Sequence, residues 1–364
     1  MLPSSDELDN TGFECVELSA EEIQAEITNA AERKMWHLKS IGVYDAWDYL
    51  KEKLIAERID AEEAEKVSKG KGANIIIINS GVNYHHPDIS ERFNPSLKGY
   101  NFVDLTDDPM DLEGHGTSVA GVIAGKLGGV ASCATLFSLR VGHGYALTLL
   151  KINSALQWCI DNKHNLDIDI INLSLSGTEY NSELETLCNK VSDAGILLVA
   201  SAGNVSQGIT FPSAFDDVLS VGAVDKSYMR YKKSAIAPTV NISAPGCAVC
   251  TAAIVKKKDR YENLYALATG TSISAPIVTG SLALAVAYLK FAGIACMTTN
   301  LRELLQESAQ PLNDDLHAQS LIRDYRLSKY DSTITAQKAL QWAYGSGIVK
   351  VDKFVKEVTF LHPK

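Results

Sequence analysis

Residues 74–89 read NIIIINSGVNYHHPDI. Four consecutive isoleucines, Ile75 to Ile78, leave the run no polar face. It therefore reads as a β-strand buried on both sides, of the kind found inside a parallel sheet. The polar group Asn79-Ser80-Gly81 closes it. In open α/β sheets, chemistry collects at the carboxyl ends of the strands, which makes Asn79 a candidate site residue.

The same texture returns in TLFSLRV, IDIINLSL, GILLVASA and VLSVGAV, with helix-prone segments at 148–163 and 181–194 between them. This alternation predicts one α/β domain: a doubly wound, mostly parallel sheet with helices on both faces. Ser174-Leu175-Ser176-Gly177 and Ser201-Ala202-Gly203-Asn204 fall at further strand ends. Ahead of the core, residues 1–18 form a polar tail, and Ser19 with Glu22 makes a capping box that opens a helix. Residues 1–34 thus read as a tail and helix, a candidate pro- or docking segment. The main domain covers 35–364, with a charged stretch at about 50–72 read as a surface helix and linker.

A formal net charge of −10 supplies no basic excess to attract phosphates, which argues against nucleic acid and anionic membrane as partners. The opening MLPSSDELDNTGFE is acidic and lacks an apolar leader, and IVTGSLALAVAYL (277–289) is short for a membrane span and reads as a buried helix. The expected setting is cytoplasmic. The seven cysteines are scattered without a disulfide framework. Cys247 and Cys250 form a lone CxxC with no second ligand pair, read as buried thiols in a turn entering a strand. No metal and no cofactor is expected.

Three stretches carry chemistry. EGHGTSVAGVIAG (113–125) sets His115 between glycines before a small-residue helix. VASAGN ends a buried strand on Asn204, and ATGTSISAPIVTG (268–280) places Ser272 at the mouth of a helix, before Pro276. A serine at a helix N-terminus sits where developing negative charge is favoured. A histidine can take its proton, and an amide with a backbone N–H can hold an oxyanion; these are the requirements of acyl transfer.

In this order, the strand with NYHHPDI, then GHGT, SAGN, FPSAFDDVLSVGAVD and GTSISAP, the chain resembles the subtilisin-like serine proteases, the subtilases. The resemblance covers about 35–355, from MWHLKSIGVYDAW to YGSGIVKVDK. It implies Ser272 as nucleophile, His115 as general base and Asn204 as oxyanion donor. It implies that Ser174, Leu175 and Ser176 pair with substrate backbone. Ser201, Ala202 and Gly203 would wall a specificity pocket with Thr210 near its base, and Pro212 would follow a cis peptide bond. The short AGKLGGVASCATL lacks the clustered acids of the family's calcium loop.

The family places aspartate where this chain has Asn79. An aspartate fixes the histidine tautomer and stabilises the imidazolium; an asparagine can do part of the first and none of the second. The resulting expectation is a serine endopeptidase acting on peptide or protein substrates, weakened by Asn79. Two alternatives share these residues: a silent pseudoprotease that binds peptides or a partner protein, and a peptide ligase or macrocyclase. Oligomeric state is not legible.

Overall fold

The structure is a computed structural model that describes residues 7–9, 14–143, 146–257, 260–295 and 298–361; Cys296 lies outside them. Seven strands build the central sheet: β1 (Asn74–Asn79), β2 (Gly99–Asn101), β3 (Thr135–Arg140), β4 (Ile170–Leu173), β5 (Leu197–Ser201), β6 (Val218–Val224) and β7 (Ile242–Pro245). Their order is β7-β6-β5-β4-β1-β3-β2, and every pairing is parallel. The direction of winding reverses at β1. That places the end of β1 at a topological switch point, where such sheets open a crevice.

The isoleucine run splits by pleat. Ile75 and Ile77 enter one core with α4 (His115–Ala124) and α7 (Thr271–Phe291), whereas Ile76 and Ile78 enter another with α5 (Leu149–Leu166) and α6 (Ser182–Asp193). The result is the doubly wound three-layer α/β architecture that the sequence predicts. Helix α7 is long and apolar enough to cross a bilayer, yet its apolar window is wholly buried, so it serves as the central helix of the core.

The stretch read as a surface helix and linker is helical, but it is packed rather than lying free on the surface. It forms the end of α2 (Val43–Ala56) and all of α3 (Ala61–Val67), and Leu50, Leu54, Ala64 and Val67 are fully buried. The N-terminal region is likewise not all tail. Glu14–Glu17 pairs antiparallel with β9 (Arg260–Thr269), itself the hairpin partner of β8 (Val249–Lys257). Glu14 also accepts from Tyr231 Oη at 3.0 Å and Lys233 Nζ at 2.8 Å. The capping box forms as read: Ser19 Oγ accepts from Glu22 N, and the Glu22 carboxylate from Ser19 N, ahead of α1 (Ala20–Ala31). Cys250 is buried in β8, and burial pushes the Cys247 thiol up to about 12.

His37 lies fully buried, and its Nε2–H donates to Gly128 O at 2.9 Å. Burial lowers its pKa to about 4, although the Gly128 carbonyl pulls the other way. Unfolded, the imidazole titrates near 6.5, so between these values the unfolded chain binds a proton that the folded chain refuses. Stability is therefore complete above pH 6.5 and falls as the pH drops toward 4. The expected loss from this residue is about 2–3 kcal/mol between pH 6.5 and 4.5. Urea unfolding of His37→Gln, which keeps a donor but cannot titrate, should show a correspondingly shallower pH slope. An unchanged slope would remove His37 from the account.

Candidate active site

Three neighbouring strands deliver the site from their carboxyl ends. Asn79 is the last residue of β1, Ser174 follows β4, and Asn204 lies just past β5. His115 is the first residue of α4 and Ser272 the second of α7, and these two helices pack together on one face of the sheet. The groups singled out in the sequence thus share one end of one sheet.

His115 Nδ1 lies 2.7 Å from Asn79 Oδ1. The same oxygen accepts from the Ser80 backbone N–H at 2.8 Å. A backbone N–H can only donate, so the atom facing it must be the carbonyl oxygen of the amide. His115 Nδ1 must then carry a proton, which leaves Nε2 as the basic nitrogen. The asparagine thus selects the tautomer that a general base requires. Its cost is on the other side: Asn79 Nδ2 is buried with no hydrogen-bond partner among the described residues, a deficit of about 1–3 kcal/mol. Burial lowers the His115 pKa to about 4.

Asp111 organises the start of α4 without touching the ring. Its Oδ1 accepts from Ser80 Oγ, Glu113 N and Gly114 N, and its Oδ2 from Thr117 N and Thr117 Oγ1 at 2.6 Å. Burial raises its pKa against the pull of the Thr117, Gly114 and Glu113 donors. Ser80 Oγ also accepts from Gly116 N at 3.1 Å, so one network ties the end of β1 to the first turn of α4. Gly116 permits that approach: a Cβ there would collide with Gly81 O and lie 3.3 Å from Asn79 Cβ. Gly116→Ala should therefore destabilise the fold by about 1–3 kcal/mol, as overpacking against backbone does. A melting temperature equal to that of the parent would contradict this packing.

Asn204 Oδ1 accepts from Thr271 N and Thr271 Oγ1, both at 3.0 Å. Its oxygen is committed to the start of α7, so the half-buried amide presents Nδ2 as a donor beside Ser272. Ser272 is 2% exposed, and its Oγ makes no hydrogen bond among the described residues.

The residues read as substrate-binding divide. The Ser174 and Leu175 side chains point inward: Ser174 Oγ donates to Ser272 O at 2.9 Å, and Leu175 enters the core. Ser176 is half-buried beside the Gly177–Phe211 bridge. Ser201 Oγ donates to Leu175 O at 3.3 Å, tying the two strand ends together. Ala202 is buried, and its carbonyl accepts from Thr210 Oγ1 at 2.8 Å. Thr210 is fully buried behind Gly203, where an added Cβ would meet Thr210 Cγ2 at 2.6 Å. The Phe211–Pro212 peptide is cis, as the resemblance implies. Ser80, Asp111, Asn172 and Thr271 escaped the sequence reading as site residues.

Comparison with known proteins finds a family and relatives for this chain. The sequence model of the subtilase family matches residues 70–347, a narrower span than the resemblance drawn from motifs. A thermostable alkaline protease of Halalkalibacterium halodurans is 35% identical over 226 residues, covering 59% of this chain and 57% of that protein. Subtilisin DY of Bacillus licheniformis is 30% identical over 274 residues, covering 70% of this chain and 91% of that protein. The halolysin-like extracellular serine protease Nep of Natrialba magadii is 32% identical over 224 residues, 58% of this chain and 39% of its own. The chain thus spans little more than half of the first of these relatives and less of the last. With a parallel seven-stranded sheet wound on both faces and the family pattern running through most of its length, the chain belongs to the subtilase family.

Proposed function

We propose that the protein is a serine endopeptidase of low activity, forming an acyl-enzyme on Ser272 with His115 as general base and Asn204 as oxyanion donor. The observation that carries this reading is the pinned amide of Asn79. With Ser80 N–H and His115 Nδ1 both on its oxygen, the histidine holds the basic tautomer despite the missing acid. An asparagine free to turn its NH₂ toward the ring would present the wrong tautomer and no base. The Asn79 amide carries no charge, so it does not stabilise the imidazolium that forms as Ser272 loses its proton. The chemistry supported is therefore base-assisted acylation at a reduced rate, on peptide or protein substrates as the family relationship suggests.

Incubation with a serine-directed phosphonate and intact-mass analysis tests this. Slow addition of one phosphonyl group, mapped to Ser272 and absent from Ser272→Ala, is the expected result. No label on the parent or on Asn79→Asp would overturn the proposal in favour of a binding protein without turnover. A ligated product formed in place of hydrolysis, when a peptide amine is supplied, would replace endopeptidase by transpeptidase.

A further inference from the structure

The carbonyl of Ser272 stands four residues before Pro276 within α7. A helix would normally satisfy that oxygen with the N–H of the residue four positions on, and proline has none. The orphan is met from outside the helix by Ser174 Oγ–H at 2.9 Å. Ser174 Oγ in turn accepts from Asn172 Nδ2 at 2.9 Å, and Asn172 Oδ1 accepts from Thr279 Oγ1 at 2.9 Å. All three side chains are fully buried.

The chain of donors runs one way, from Thr279 through Asn172 and Ser174 to Ser272 O. It leaves α7 two turns along, crosses the end of β4 and returns to the first turn of the same helix. A serine hydroxyl has one proton, and here that proton is committed to Ser272 O. Asn204 holds the preceding residue through Thr271 N. Positions 271 and 272 are thus fixed from two adjacent strand ends, where Pro276 denies the carbonyl its usual bond within the helix.

We propose that Ser174, aligned by Asn172 and Thr279, is a positioning residue for the nucleophile: it supplies the restraint that Pro276 removes and so sets the direction of Ser272 Oγ and N–H. The inference rests on the reading of Ser272 as nucleophile given above. Misplacement of a reacting group by about 1 Å can cost about a hundredfold in rate, so a loosened first turn should be visible in kinetics.

The test is a rescue, run with Asn79→Asp as the parent so that phosphonate labelling is fast enough to resolve. Ser174→Ala should lower the limiting labelling rate by about tenfold or more with little change in the half-saturating concentration. Pro276→Ala restores a backbone N–H opposite Ser272 O, so the double variant should recover most of that loss. Thr279→Val, which frees the far end of the chain, should slow labelling less and leaves the proposal testable should Ser174→Ala fail to fold. An unchanged rate in Ser174→Ala, or a double variant as slow as the single, would overturn the positioning role. Failure of the parent itself to label would instead overturn the proposed function. A loss read in melting temperature alone, with labelling intact, would reduce Ser174 to an ordinary buried hydrogen bond.

Discussion

Asn79→Asp should accelerate acylation of Ser272 by about 10⁴. In subtilisin itself, loss of this acid alone costs about 3 × 10⁴ in kcat. The geometry here needs no rebuilding, because an aspartate oxygen can take the place of Asn79 Oδ1, accepting from His115 Nδ1 and Ser80 N–H as the amide does. The change adds a negative charge where imidazolium forms, and it removes the partnerless Nδ2. The pH profile should move with it. Burial holds the His115 pKa at about 4 in the present chain, so the base stays unprotonated and labelling stays flat well into the acid range. A facing carboxylate favours the protonated ring, so the acid limb of the rate profile should rise toward neutrality in Asn79→Asp. Phosphonate labelling rates from pH 4.5 to 8.5 for the two proteins measure both effects. An acceleration under tenfold, or an acid limb that fails to move upward, would show that the missing charge is not what limits the site.

The strand Asn74–Asn79 was legible because its isoleucines fill both pleat faces, and the two cores on either side of Ile75–Ile78 are the physical counterpart of that run. His115, Asn204 and Ser272 were legible because small residues and glycines around them mark tight turns at element ends. The orientation of the Asn79 amide was not, since it is set by one backbone N–H that every residue carries. Ser174 was read, from the resemblance, as part of a strand that pairs with substrate backbone, a reading that leaves the direction of its side chain open. A helix almost a hundred residues away decides that direction. The charged 50–72 stretch concealed its packing because Leu50, Leu54, Ala64 and Val67 are separated by exposed and half-buried charges. Glu14–Glu17 gave no strand signal, since its pairing uses the exposed edge of β9 and backbone groups rather than an apolar pattern.

Asn204 offers a test in which position and donation come apart. Its oxygen holds Thr271 N and Thr271 Oγ1, and its Nδ2 is the only part left to meet an oxyanion. An aspartate at 204 keeps an acceptor for both Thr271 groups, so the start of α7 stays anchored. It replaces the donor with a second carboxylate oxygen, which repels the charge developing on the substrate. Removal of the corresponding donor in subtilisin costs about 10²–10³ in kcat. Asn204→Asp should lose at least that much, because repulsion is added to the missing hydrogen bond. Measured on an activated peptide ester in the Asn79→Asp background, the loss should fall on kcat and leave KM nearly unchanged, since the interaction forms only as the carbonyl becomes tetrahedral. Asn204→Ala removes the anchor as well, and its melting temperature should fall where that of Asn204→Asp does not. Equal kcat in Asn204→Asp and its parent would mean that the oxyanion is held elsewhere, and the amide beside Ser272 would then be no more than a cap on the helix that carries it.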